Sequence, residues 1–147
     1  MSRSRWLVLV LVAIALAAAV ILWTARGASG PAAQSTPPSR FSSEFGLFSV
    51  SYRADDGAIP LNELHTWTIH VEDADGQPVT GARISVDGRM PAHGHGLPTQ
   101  PAVTADLGGG DYRVEGLRFQ MVGEWVLDFT IQAGGQTDTA AVSFTLR

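Results

Sequence analysis

Residues with ligand chemistry crowd into one stretch, Asp87–Pro101, which reads Asp-Gly-Arg-Met-Pro-Ala-His-Gly-His-Gly-Leu-Pro-Thr-Gln-Pro. It holds two of the four histidines, His93 and His95, and one of the three methionines, Met90. Its prolines and glycines exclude a helix and interrupt a strand. A shaped loop presenting two imidazoles and a thioether is therefore predicted. Neutral imidazoles with thioethers, and no thiolate or carboxylate in the Met-to-His core of the motif, suit copper, above all the soft Cu(I) ion. Zinc is the weaker choice, since it prefers His, Cys and carboxylate to methionine. The competing reading is an ordinary polar loop.

What must position this stretch is a set of strands. From Phe41 onward apolar and polar residues alternate with period two: Phe48, Val50 and Tyr52; then His65, Trp67, Ile69 and Val71; then Ala82, Ile84 and Val86. Val103, Ala105 and Leu107 follow, then Tyr112 and Val114, Trp125 through Ile131, and Val142, Phe144 and Leu146. No stripe of helical period competes. Turn chemistry separates the runs at Asp55-Asp56-Gly57, Asp75-Gly76, Gly108-Gly109-Gly110 and Gly134-Gly135. Seven short strands of this kind predict an all-β, immunoglobulin-like sandwich with a core of Trp67, Trp125, Phe129 and Phe144. Tyr112 is expected to form a tyrosine corner, and His70 to face solvent. Alternation slips at Gly116, where a bulge is expected.

Strand parity then gathers the chemistry. Successive strands of such a sandwich run in opposite directions, so the connections after the first, third and fifth strands share one end. His65 opens the second strand, Met90–Pro101 follows the third, and Met121 lies after the fifth. The candidate metal ligands are therefore His93, His95 and Met121, with Met90 at the base of the loop and His65 completing or orienting the site. On the bland reading Met121 fills a gap in the core and His65 is satisfied by a backbone carbonyl.

Composition narrows the classes further. The chain of 147 residues has no cysteine, so disulfides, thiolate nucleophiles and iron–sulfur ligation are excluded. All ten basic residues are arginine, and beyond Arg40 six arginines face fourteen acids, a net charge of −8. Nucleic acid is not a partner for so acidic a surface. No strained nucleophile elbow, phosphate loop or acidic pair in the histidine motif supports an enzyme. Asp73-Ala-Asp75-Gly76 lacks the alternating acids of a calcium loop and reads as a hairpin turn.

The N-terminus reads as a membrane segment. Trp6–Trp23 is an unbroken apolar run of eighteen residues, bounded by tryptophan at both ends. It exceeds the apolar core of a cleaved leader, so residues 1–26 are expected to be an uncleaved transmembrane anchor. Arg3 and Arg5 ahead of it keep the N-terminus cytoplasmic. Residues 27–40, rich in Pro, Ser and Ala, form a tether, and residues 41–147 the sandwich. The expected location is the inner membrane, with the C-terminal domain in the periplasm.

From Leu61 to Ile131 the sequence resembles the YtkA-like domain family, related to the FixH proteins. The resemblance rests on Leu61-Asn-Glu-Leu-His65-Thr-Trp67, Gly76-Gln-Pro-Val79-Thr-Gly-Ala82, the Met-Pro-x-His-x-His-Gly segment from Met90, and Gly110–Trp125. It implies an anchored, exported immunoglobulin-like domain. Through the FixH type it also implies copper delivery and assembly of haem–copper oxidases, with a membrane-protein or copper-handling partner. A structural module whose loop docks on a membrane complex, without metal, is the alternative.

Overall fold

Alternation becomes strand because a side chain on one face of a pleated backbone is buried while its neighbours face water. The computed structural model describes Ser39–Arg147; the expected anchor and nearly all of the tether lie outside the described residues. Within them the chain is all β: β1 (Phe41–Ser42), β2 (Phe48–Ala54), β3 (His65–Asp73), β4 (Arg83–Met90), β5 (His95–Gly96), β6 (Ala102–Gly108), β7 (Asp111–Leu117), β8 (Gly123–Ala133) and β9 (Gln136–Leu146). The seven expected strands are the long ones, and β1 and β5 are two-residue additions. No helix among the described residues is long and apolar enough to cross a membrane.

The strands form two sheets, β1-β2-β3-β7-β6 and β5-β4-β8-β9, and every pairing is antiparallel. The order β2-β3-β7-β6 facing β4-β8-β9 follows the A-B-E-D and C-F-G order of a constant-type immunoglobulin sandwich. Trp67, Trp125 and Phe129 are fully buried, and Phe144 is partly buried. Phe144 joins the sheets, its ring edge-on to Trp67 at 5.3 Å, while Tyr52 stacks on Trp67 at 4.3 Å and also meets Phe144 at 6.1 Å. Each such burial stabilises the fold by about 1.5–3 kcal/mol.

Gly116 behaves as expected. His65 pairs with Leu117 and Trp67 with Val114, so β7 spends three residues where β3 spends two. The extra residue is accommodated by Gly116 at φ +81°, a conformation that costs any L side chain strain. The bulge returns Leu117 and Phe119 to the core, both fully buried.

Four expectations are corrected. β4 does not end at Val86 but continues through Met90, so the first four residues of the histidine stretch are strand, not loop. Leu107 is exposed rather than inward, because register shifts after Val103 and after Asp106 carry β6 out of phase with β7. Tyr112 is buried, but it is not a tyrosine corner. It sits on β7, the E position, and its hydroxyl donates to the Val79 carbonyl at 2.8 Å and accepts from the Ala82 N–H at 2.9 Å. His70 is only half exposed: its Nδ1 lies 2.7 Å from Asp111 and its Nε2 3.5 Å from Glu72.

Candidate metal centre

The histidine stretch folds as a tight hairpin. After Met90 the chain turns through Pro91–Gly94, and β5 returns along β4, pairing His95 with Met90 and Gly96 with Arg89. The Met90 carbonyl accepts from the N–H groups of His93 and Gly94, at 3.1 and 3.0 Å. One position further back, the Leu97 N–H donates to the Gly88 carbonyl at 3.2 Å. Gly88 makes the return possible. A Cβ there would lie 2.7 Å from both Leu97 Cδ1 and Leu127 Cδ2, so the leucine side chain closes over a bare backbone.

The two imidazoles end up side by side. The His93 and His95 rings lie 5.8 Å apart and nearly parallel, at 29°. His93 is exposed and His95 partly covered. The His95 ring stands at 65° to Trp125, centroids 6.2 Å apart. Behind it lies Gln120, whose Nε2 donates to the Gly96 carbonyl at 3.2 Å and sits 3.4 Å from His95 Nδ1. Gln120 Oε1 is buried and finds no partner among the described residues.

Met121 comes next to this wall through its backbone. The Trp125 indole N–H donates to the Met121 carbonyl at 2.9 Å, which fixes the β7–β8 connection against the ring that backs His95. The Met121 side chain is 38% exposed. Met90 differs: it is 1% exposed, and a Cβ at Gly123 would meet its Cε at 3.0 Å. Its thioether packs in the core beneath the hairpin.

His65 also reaches this end of the sandwich but on the far side of two aromatic rings. It lies 5.2 Å from Phe119, which lies 5.1 Å from Trp125. At 6% exposure, its Nδ1 is 3.2 Å from the Glu63 carbonyl. Only a protonated nitrogen can bond a carbonyl, so Nδ1 donates, and in the neutral ring Nε2 is the nitrogen with the lone pair. That Nε2 is buried and unpartnered among the described residues. A backbone carbonyl bonded to one ring nitrogen is how ligating histidines are commonly oriented.

The donor set decides which metals fit. Among the described residues no three His, Asp or Glu side chains stand close enough together to hold a metal ion, and the chain has no cysteine. A closed zinc-type site is therefore not built here. What the hairpin offers is a pair of imidazoles with an exposed thioether on the neighbouring connection, a set that suits a soft ion. Arg89 adds no free positive charge, since its Nε donates to Asp128 at 2.8 Å, and that bond holds the guanidinium above its ordinary range. Sequence alone does not mark Gln120 and Phe119 as site residues; their signal there is adjacency to Met121 and a place in the Gly110–Trp125 stretch.

The family model for YtkA-like proteins matches residues 58–130. Neither the curated proteins nor the solved structures give a match. The matched span runs from just before β3 to near the end of β8, so it includes the hairpin and the β7–β8 connection, while β2 and β9 close the two sheets outside it. The chain thus carries a YtkA-like domain.

Proposed function

We propose that this is a membrane-anchored domain on the extracytoplasmic side that binds copper, with Cu(I) favoured, and passes it to or from a membrane partner such as an oxidase-type complex. His93, His95 and Met121 would hold the ion at the rim, with Met90 and His65 beneath and behind them. These side chains would supply exchangeable coordination to the ion, and the domain is read as a carrier rather than an enzyme. The observation that carries this reading is the hairpin itself. It holds two near-parallel imidazoles 5.8 Å apart, and Trp125 ties the Met121 backbone to the wall behind them.

The test is competition for Cu(I) against a chromophoric chelator, using the full chain in detergent. The wild type should withdraw copper from the chelator, and the His93→Ala/His95→Ala double variant should not. Equal competition by both would end the assignment.

A second reading is favoured by a different observation. Leu61, Leu64, Met121 and Val122 are all exposed and belong to neighbouring segments, because Leu61 bridges to Phe119. Such an apolar rim suits docking on a membrane complex, with the histidines only shaping the loop. That reading predicts co-purification with a partner that the double variant loses, and no copper in protein from copper-replete cells.

A further inference from the structure

We infer that the rim at the His65 end of the sandwich rests on the lipid bilayer, with Leu61, Leu64 and Val122 entering its interfacial layer; this rests on the anchored reading above, not on copper. The three side chains are 47%, 68% and 54% exposed, and they come from two segments that lie side by side. Leu61 bridges to Phe119, the Asn62 N–H donates to the Phe119 carbonyl at 2.7 Å, and Val122 follows on the same connection. A loop free to fold inward would bury its leucines. This one is fastened by its polar groups. Asn62 Oδ1 accepts from Arg118 Nε and Nη2 at 3.1 and 2.7 Å. Asn62 also holds φ +66°, the only non-glycine at positive φ among the described residues, and asparagine tolerates that conformation better than most. The rim is therefore apolar and fixed.

The path of the chain says what covers it. β1 is antiparallel to β2, with Phe41 opposite Val50 and Ser42 opposite Ser49. Read backwards to Ser39, the chain heads the way β2 runs, toward Ala54, which pairs with Trp67 at the His65 end. Arg40 pairs with Glu72, and the Phe41 ring meets Tyr52 at 6.3 Å; both contacts hold this heading. The apolar run ends at Trp23, sixteen positions before Ser39, and that length of chain spans at most about 55 Å. A bilayer that receives the run is within reach of the rim, on the side from which the chain arrives. Met121 stands beside the three on the same connection. Phe45 and Leu107, the remaining exposed large hydrophobics among the described residues, lie at the opposite end and at opposite edges of the first sheet, so they make no second patch. Beyond Arg40 the net charge is −8, so anionic headgroups do not draw the domain in and the contact is apolar. Three side chains would not hold a free domain on a membrane, but a linked one needs far less, because the contact has become intramolecular. The same orientation brings the His93–His95 hairpin, which shares this end, to the level of a membrane-embedded partner.

The chain has no cysteine, so a single introduced one carries a unique probe. Full-length Glu63→Cys and Ala74→Cys are labelled with an environment-sensitive fluorophore and reconstituted into phosphatidylcholine vesicles, part of whose lipid bears a nitroxide near the top of the acyl chain. Glu63 lies between Leu61 and Leu64, and Ala74 is exposed in the turn after β3, at the far end of a nine-residue strand, about 30 Å away. The Glu63 probe should be quenched and its emission shifted to the blue. The Ala74 probe should keep the emission it has without nitroxide. Adding Leu64→Ser/Val122→Ser to the Glu63→Cys chain should bring its quenching down to the Ala74 level. Should that variant not fold, the two probes in the otherwise wild-type chain decide alone. Equal quenching at both positions, in chain that alkaline carbonate does not release from the vesicles, overturns the inference and leaves the rim to a protein partner. Chain released by carbonate refutes the anchored reading, and the lipid contact falls with it. Copper binding is scored separately by the chelator competition and can fail while the lipid contact stands.

Discussion

Removing the carboxylate of Asp138 should loosen the start of the sandwich from its last strand, and the loss should fade in acid. Asp138 opens the inner part of β9 at 3% exposure. It accepts from Ser43 Oγ at 2.5 Å, from the Thr139 N–H at 2.8 Å and from the N–H groups of Phe45 and Leu47 at 3.0 and 3.3 Å. These bonds bring together segments more than ninety residues apart, beside a bridge from Ser43 to Ala140. Burial alone would raise the Asp138 pKa. The hydrogen bonds from Ser43, Thr139, Leu47 and Phe45 outweigh that and hold it below the ordinary aspartate value. A hydrogen bond to a charged group is worth about 1.5–3 kcal/mol, and several on one carboxylate do not add. Asp138→Ala should then cost about 3 kcal/mol and Asp138→Asn roughly half of that. At roughly 4 °C per kcal/mol for a domain of this size, the alanine variant should melt about 12 °C lower.

The pH dependence has a definite sign. A carboxylate with a depressed folded-state pKa stabilises fully above its unfolded value, about 3.9, and the contribution disappears as pH falls through the folded value below it. Thermal melts by circular dichroism, run in parallel from pH 7 down to pH 2, should show the gap between wild type and Asp138→Asn steady above about pH 5 and closing below about pH 4. An unchanged gap at the lowest pH, or an alanine variant that melts with the wild type, would refute the reasoning.

Tyr112→Phe should lower stability by about 1–2 kcal/mol, because it strands the Val79 carbonyl and the Ala82 N–H together; denaturant midpoints check the loss, and amide exchange at Ala82 should quicken. Gly88→Ala forces a methyl to within 2.7 Å of Leu97 and Leu127 and should cost about 1–3 kcal/mol by overpacking. Shortening the neighbour in Gly88→Ala/Leu97→Ala should recover part of that cost, and a double variant less stable than the sum of its parts would count against the closure of the hairpin over Gly88.

Much of the fold was legible because strand periodicity and burial are the same fact seen twice. Trp67, Ile69 and Val71 alternate in the sequence and are fully buried on one face of β3. The slip at Gly116 announced a bulge for the same reason. Strand parity brought the His65, His93/His95 and Met121 segments to one end by counting alone, since antiparallel connectivity fixes which turns share a rim. The resemblance to YtkA-like proteins rested on the same residues that the family model matches.

Other features needed the packed molecule. β4 runs past Val86 because Gly88 is buried against Leu127 and Leu97, and a glycine leaves no apolar mark in a pattern. The hairpin of His95 and Gly96 on β4 is made by backbone bonds, which side-chain types do not encode. Met90 turns inward while Met121 turns outward, although both are methionines flanking candidate loops. The bonds of Gln120 to the His95 hairpin and of Asp138 to Ser43 join residues 24–25 and 95 positions apart. Local sequence states which face a residue prefers, through the free energy of leaving water; which distant group it then meets depends on chain packing, and that is set only when both sheets have closed.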